Sequence, residues 1–213
     1  MNDRFKLVLC DFSQELCDEW KLAFADFPEV EIRQGRFQDV DFDCVNSPAN
    51  SFGLMDGGFD EALAMHFGDE MVQRVQERII EKYAGEQPVG TSEIIVGKVE
   101  LDGTVKFVAH TPTMIIPYNI TNTSNVYLAM KASLLAVEAH NKRVSTYAGL
   151  NVGDNTYIKT HVVSGLGTGA GRVPYKRAAI EMAKAYQVYK NRPKNLSWPF
   201  ATGRYQYIRG NNV

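Results

Sequence analysis

Two glycine-bearing loops constrain what this chain can fold into more than any feature of its composition. The first, "SPANSFGLMDGGFD" (47–60), follows an apolar, strand-like stretch and leads into a helical run. The second, "SGLGTGAGRVP" (164–174), is set the same way about 110 residues later. A packed core needs neither. In the first loop, Gly57 and Gly58 let backbone N–H groups approach a ligand with no Cβ in the way. The helix behind them offers a positive dipole end to an anion. Asn50 can donate to and accept from a sugar hydroxyl, and Ser51 and Asp56 share the loop. Asp60 is expected near the helix start, where a carboxylate can cap it. A plain Gly-Gly turn before a helix would show the same letters.

In the second loop Gly165, Gly167, Gly169 and Gly171 alternate with Leu166, Thr168 and Ala170, a spacing that builds a nest of backbone donors. Thr168 adds a hydroxyl, and Pro174 suits the first turn of the next helix, where its missing N–H costs little. "GLGTGA" formally satisfies a dinucleotide-binding fingerprint, but that motif opens a βαβ unit, and here only one helix and a tail follow. The Gly-Lys-Ser/Thr of a Walker A loop is absent.

The rest of the chain alternates strand and helix signals. "FKLVLCDF" (5–12) reads as a buried strand, and "SQELCDEWKLAFADF" as a helix capped by Ser13 and stopped by Pro28. "EVEIRQ" (29–34) and "DFDCVNSPA" read as strands, the latter broken at Pro48. Helices are expected from Asp60, over 124–142 with Ser124 as cap, and over 175–190. Two strands join at the Asp102-Gly103 turn pair, and 157–166 reads as another strand. Alternation of this kind predicts an α/β layer architecture with ligand loops at the carboxyl ends of strands. The 213 residues suit one domain, taken as 1–192, with 193–213 as a tail packed on it.

A net charge of −2 draws the protein to neither nucleic acid nor an anionic membrane, so a partner must be recognised locally. No apolar run approaches the ~20 residues of a membrane helix, and the first residues are too short an apolar run for a signal peptide. Cys10, Cys17 and Cys44 are too few and too irregular for a disulfide framework. A reduced, cytoplasmic setting is the expectation. No Cys/His spacing suggests a metal, and His66, His110, His140 and His161 read as core or surface residues. No cofactor is implied.

On these motifs the chain resembles the macro domain family. That family's first loop commonly reads N-A-A-N, a glycine run and V-D-G-A-I-H. Asn50 matches the second Asn, Gly57 and Gly58 the last two glycines, and Asp60 the Asp that follows. The family's phosphate loop, S-T-G-I-Y-G-Y-P, is similar to "GTGAGRVP", with Thr168, Gly169 and Pro174 in register. "SPANSFGLMDGG" looks closer to a branch common in bacteria and phages than to the N-A-A-N hydrolases. The resemblance covers roughly residues 5 to 190. It implies a three-layer α/β/α sandwich with a mixed sheet and a cleft for ADP-ribose or an ADP-ribosylated substrate. Gly165, Gly167, Thr168, Gly169, Ala170 and Gly171 would wrap the diphosphate, while Asn50 and Asp60 would sit by the distal ribose as catalytic residues.

Three departures stand out. Where the family often has Gly-Asp-Ile/Val, with the Asp reading adenine, this chain has Gly35-Arg36-Phe37, and an Arg cannot accept a hydrogen bond. Asp39 or Asp11 would have to supply the acceptor, and Phe37, Phe200 or Tyr205 could stack on the base. The family's helical His falls at Ala64; His66 lies two residues on, about 200° round a helix. The first Asn of N-A-A-N is Ser47. Three functions follow: a hydrolase of an ADP-ribose derivative (an ADP-ribosyl ester, an acetyl ester or the 1″-phosphate), a non-catalytic nucleotide-binding module, or a phage structural protein with a degraded site.

Overall fold

The computed structural model describes residues 5–146 and 157–209. Its strands are β1 (Lys6–Asp11), β2 (Glu31–Gln34), β3 (Cys44–Ser47), β4 (Glu93–Val99), β5 (Val105–His110) and β6 (Thr160–Val163). Its helices are α1 (Gln14–Ala23), α2 (Gly58–Phe67), α3 (Asp69–Tyr83), α4 (Asn125–Thr146), α5 (Tyr175–Lys190) and α6 (Trp198–Arg209), with a 3₁₀ turn over Phe37–Asp39. The strands form one mixed sheet in the order β2-β1-β6-β3-β5-β4, parallel except for β4, which runs antiparallel to β5.

β1 shows why the layers are three. A strand covered on both faces must be apolar on both, and "LVLC" is. Leu7 and Leu9 enter a core with Trp20 of α1, Met130 of α4 and Met182 of α5. Val8 and Cys10 enter the opposite core with Leu63 of α2 and Met71, Val75 and Ile79 of α3. The sheet is the filling of an α/β/α sandwich.

Local chemistry sets the boundaries. Ser13 caps α1, its hydroxyl accepting from the Leu16 N–H at 3.2 Å. α1 ends at Ala23, well before Pro28, because the chain tightens there: the Ala25 N–H reaches Leu22 O and the Phe27 N–H reaches Phe24 O. The β4–β5 connection turns where expected, with Gly103 at φ +84° and the Thr104 N–H donating to the Asp102 carboxylate. β6 is shorter than the 157–166 run because Asn141 takes both polar groups of Ile158, donating to its carbonyl and accepting from its N–H. The stretch after 192, left unplaced by its letters, contains α6.

Candidate functional site

Past Pro48 the chain keeps pairing with the extension of β5. The N–H groups of Ala49 and Ser51 donate to the carbonyls of Thr111 and Ile115, which carries Asn50 to the end of the sheet beside Met114. There the Asn50 side chain closes the loop on itself. Its Nδ2 donates to Leu54 O at 2.8 Å, and its Oδ1 accepts from the N–H groups of Phe52 and Leu54. Both carbonyl lone pairs and one of its two N–H donors are therefore spent inside the protein. Ser51 is fully buried, its hydroxyl on Met114 O and its carbonyl on the Gln87 N–H. It lies outside the cleft lining, contrary to the ligand-binding role its position suggested.

The loop ends at an open helix start. α2 begins at Gly58, whose φ of +61° is left-handed backbone that suits glycine, and its N-cap, Gly57, offers no side chain. The first N–H groups of α2 thus face the cleft without a capping acceptor. Asp60 does not cap them. It sits in the first turn, 7 % exposed, and takes the Ser47 hydroxyl at 2.7 Å on Oδ1. Burial pushes its pKa from 3.8 up to about 7; the Ser47 bond pulls it down in part, and nearby Asp56 pushes it up.

The second loop leaves β6 at Ser164, whose buried hydroxyl has no partner. The Gly165 N–H is tied to Asp11 Oδ2 at 3.1 Å, while Asp11 Oδ1 holds the Ser13 N–H. Leu166, fully buried, anchors the turn. The Val173 N–H reaches Gly167 O, the Arg172 N–H reaches Gly169 O, and the Ile120 N–H reaches Gly171 O. Among the described residues, the backbone N–H groups of 166–171 find no protein acceptor. The loop's carbonyls are used and its N–H donors are left over, a composition that suits an anion nest.

These two loops face each other across a cleft of about 450 Å³. Asn50, Asp56, Gly57, Gly58, Asp60, Gly165, Gly167, Thr168, Gly169, Ala170 and Gly171 all line it, joined by Asp11 and by Leu54, Phe59, Met114, Pro117 and Ser164. Asp11 carried a legible signal, a carboxylate at the carboxyl end of an apolar strand. Met114 and Pro117 carried none, since only the pairing of the β5 extension with 49–51 brings them near.

Several expected residues lie elsewhere. Arg36 and Asp39 are exposed and outside the lining. Phe37 is 3 % exposed and packs on Phe42, Phe59 and His66, so it cannot stack on a base. Phe200 and Tyr205 lie on α6 beneath Arg204 and Arg209, away from the cleft. His66 packs on Phe67 and Phe37. His110 and His161 are buried, and burial holds their pKa values down to about 3 and about 4, so both are neutral core residues. Among the described residues, no cluster of three or more His, Cys, Asp or Glu is placed to hold a metal. No described helix is long and apolar enough to cross a membrane.

Fold and site together define a class: a three-layer α/β/α protein whose cleft, at the carboxyl edge of parallel strands, is lined by backbone N–H groups without protein acceptors. Known proteins agree with that class. The family profile of the Macro domain matches residues 45–182. An uncharacterized protein of Aquifex aeolicus (strain VF5) is 31 % identical over 169 residues, covering 79 % of this chain and 86 % of its own. Among solved structures, the macrodomain of Mycobacterium tuberculosis DarG superposes with a TM-score of 0.52 at 17 % identity, over 74 % of this chain and 89 % of that one. The Oceanobacillus iheyensis macrodomain with MES bound gives 0.51 at 18 %, over 83 % and 88 %. The chain belongs to the Macro domain family.

Proposed function

We propose that the cleft binds ADP-ribose and that Asp60 promotes hydrolysis of an ADP-ribose derivative, an ADP-ribosyl ester, an O-acetyl ester or the 1″-phosphate. The observation that carries this is the pairing of the free N–H groups of 166–171 with the uncapped start of α2 across one cleft, with Asp60 on its floor. The nest suits the diphosphate, and the Asn50–Asp60 end is left for the distal ribose. A carboxyl group with a pKa near 7 is divided between its two forms at neutral pH, the condition under which it exchanges protons with water most effectively. For an ester, water adds to the acyl carbon, Asp60 takes the water proton, and the ribose–oxygen leaving group recovers a proton, giving ADP-ribose and a carboxylic acid.

One observation favours the reading as a binding module without turnover: Asn50 spends its side chain on the loop and keeps only a single donor for substrate. Calorimetric titration with ADP-ribose, followed by ester turnover in the Asp60→Ala variant, separates the readings. Hydrolysis requires that the variant lose rate by a larger factor than it loses affinity. Turnover absent in the parent leaves the module; no heat and no thermal shift at millimolar ADP-ribose removes both. Base recognition should be loose, because Arg36 and Asp39 stand outside the lining and Asp11, which lines it, has its carboxylate oriented by the Ser13 and Gly165 N–H groups. The inosine and guanosine counterparts should bind within about tenfold of ADP-ribose, ~1.4 kcal/mol, in competition.

A further inference from the structure

After Glu181 the chain has no Asp or Glu and six cations: Lys184, Lys190, Arg192, Lys194, Arg204 and Arg209. The other 17 of the 23 Lys and Arg stand before that point with all 25 Asp and Glu, so the net charge of −2 divides into −8 and +6. Three of the six cations are spent. Lys190 pairs with Glu29, Arg192 pairs with Glu138, and Lys184 donates to Tyr207 O. Lys194, Arg204 and Arg209 have no carboxylate partner among the described residues. The Macro domain profile ends at residue 182, before α6 begins.

α6 has two faces. Phe200, Arg204, Tyr207 and Ile208 are half-buried, and Tyr207 and Ile208 make the contacts with the domain. Trp198, Thr202, Tyr205 and Arg209 are exposed and follow one another at four, three and four residues, which is a single outward stripe at 3.6 residues per turn. Seven residues, or about 10 Å of helix, separate Trp198 from Tyr205. Cations stand beside the rings: Arg209 lies 5.3 Å from the centre of the Tyr205 ring and donates to its hydroxyl, and Arg204 lies 5.1 Å from the centre of the Phe200 ring.

We infer that the outward face of α6, with Lys194 at its approach, docks single-stranded nucleic acid. Unpaired bases stack on Trp198 and Tyr205, and the phosphates between them meet Lys194, Arg204 and Arg209. The chemistry of the stripe selects this occupant. Three free cations in a segment without a carboxylate suit a polyanion. Exposed flat rings among them suit π faces, which a free strand offers and a duplex keeps stacked inside. A bilayer would need an apolar face, whereas here the rings share their stripe with Thr202 and Arg209. An acidic peptide would satisfy the cations and leave the rings bare. No described α6 residue lines the cleft, so docking here is independent of what the cleft binds.

The test titrates the full chain into a fluorescein-labelled oligothymidylate of about 20 nucleotides, read by anisotropy at several salt concentrations. Affinity should fall with salt at a log–log slope of about −2, from three phosphates at roughly 0.7 each. Binding should quench tryptophan emission at Trp198, since the second tryptophan, Trp20, is fully buried. Trp198→Ala, a change at a side chain 85 % exposed, should weaken binding about tenfold, the scale of one lost base–aromatic stack. Trp198→Phe should keep binding within a few-fold and lose the quenching. Gly169→Glu, which obstructs the cleft, should bind the strand as the parent does. No binding at low salt, affinity untouched by Trp198→Ala, or preference for a duplex of the same length overturns the inference. So does loss of binding in Gly169→Glu, which would place the strand in the cleft. Binding to phosphatidylserine vesicles without binding to the oligonucleotide overturns it in favour of a membrane.

Discussion

At the scale of single residues, the site is a carboxylate held where water would not keep it. Asp60 was legible from its spacing to Asn50 and the glycines; its partner was not. Ser47 read as a departure from the family's Asn, and only the alternation of β3, which turns Val45 and Ser47 toward α2, brings the hydroxyl to Asp60. The ionisation has a consequence for stability. The folded chain keeps the Asp60 proton to about pH 7, against an ordinary value of 3.8. Between those values the unfolded state binds fewer protons, so stability falls as pH rises through that window, by at most about 4 kcal/mol. Asp60→Asn preserves an acceptor for Ser47 and removes the buried charge. It should melt close to the parent at pH 4 and above it at pH 8; the same offset at both values would show that Asp60 titrates normally. Ser47→Ala tests the hydrogen bond. Losing a donor that favours the ionised form raises the Asp60 pKa further. The limb of the pH–rate profile that reports Asp60 should therefore move to higher pH in Ser47→Ala, and an unmoved limb would show that the bond does not govern its protonation.

At the scale of elements, the two loops look alike in sequence and work differently. The first has an organising side chain, Asn50, while the second is held by carbonyls and by the tie from Asp11 to Gly165. Both were visible as strand–glycine–helix junctions. The start of α2 at Gly58 was not, because the letters place no cap there and the helix opens on a glycine at φ +61°. Within the second loop the glycines divide by what surrounds them. A Cβ on Gly169 would meet nothing within 4 Å, so that position faces open cleft. A Cβ on Gly171 would lie 2.5 Å from Gly167 O and 2.8 Å from Ile120. Gly169→Glu should leave the melting temperature nearly unchanged and abolish ADP-ribose binding, by bulk and by charge against a phosphate. Gly171→Ala should cost on the order of 1–3 kcal/mol of stability, because backbone cannot give way as a side chain does. Denaturant melts and calorimetry on the two variants check the contrast. Retained binding in Gly169→Glu would place the diphosphate elsewhere.

At the scale of the whole molecule, the sheet order does what local sequence cannot. β6 enters between β1 and β3, so loops far apart in the chain leave neighbouring strands at the same edge. Periodicity gave the strands and helices, but no local signal orders them; the family resemblance implied a mixed sheet and a shared cleft, without the order of the strands. The same lack of local signal left the tail unplaced. α6 has no buried residue, and Trp198 at its start is 85 % exposed. Its hold on the rest is narrow: Lys184 donates to Tyr207 O at 2.6 Å and lies over its ring, the Tyr207 hydroxyl bonds Gln187, and Ile208 packs partly on the α1–α4–α5 core. No α6 residue lines the cleft. A chain ending at residue 192 retains the pairing of Arg192 with Glu138, which ties the end of α5 to α4. It should fold and melt within about 5 °C of the full chain, as expected for losing a few weak, largely exposed contacts in a domain of this size. Its affinity for ADP-ribose should be unchanged. A shortened chain that cannot fold would make α6 part of the domain proper, and one that folds but binds less tightly would assign the helix a role in shaping the cleft.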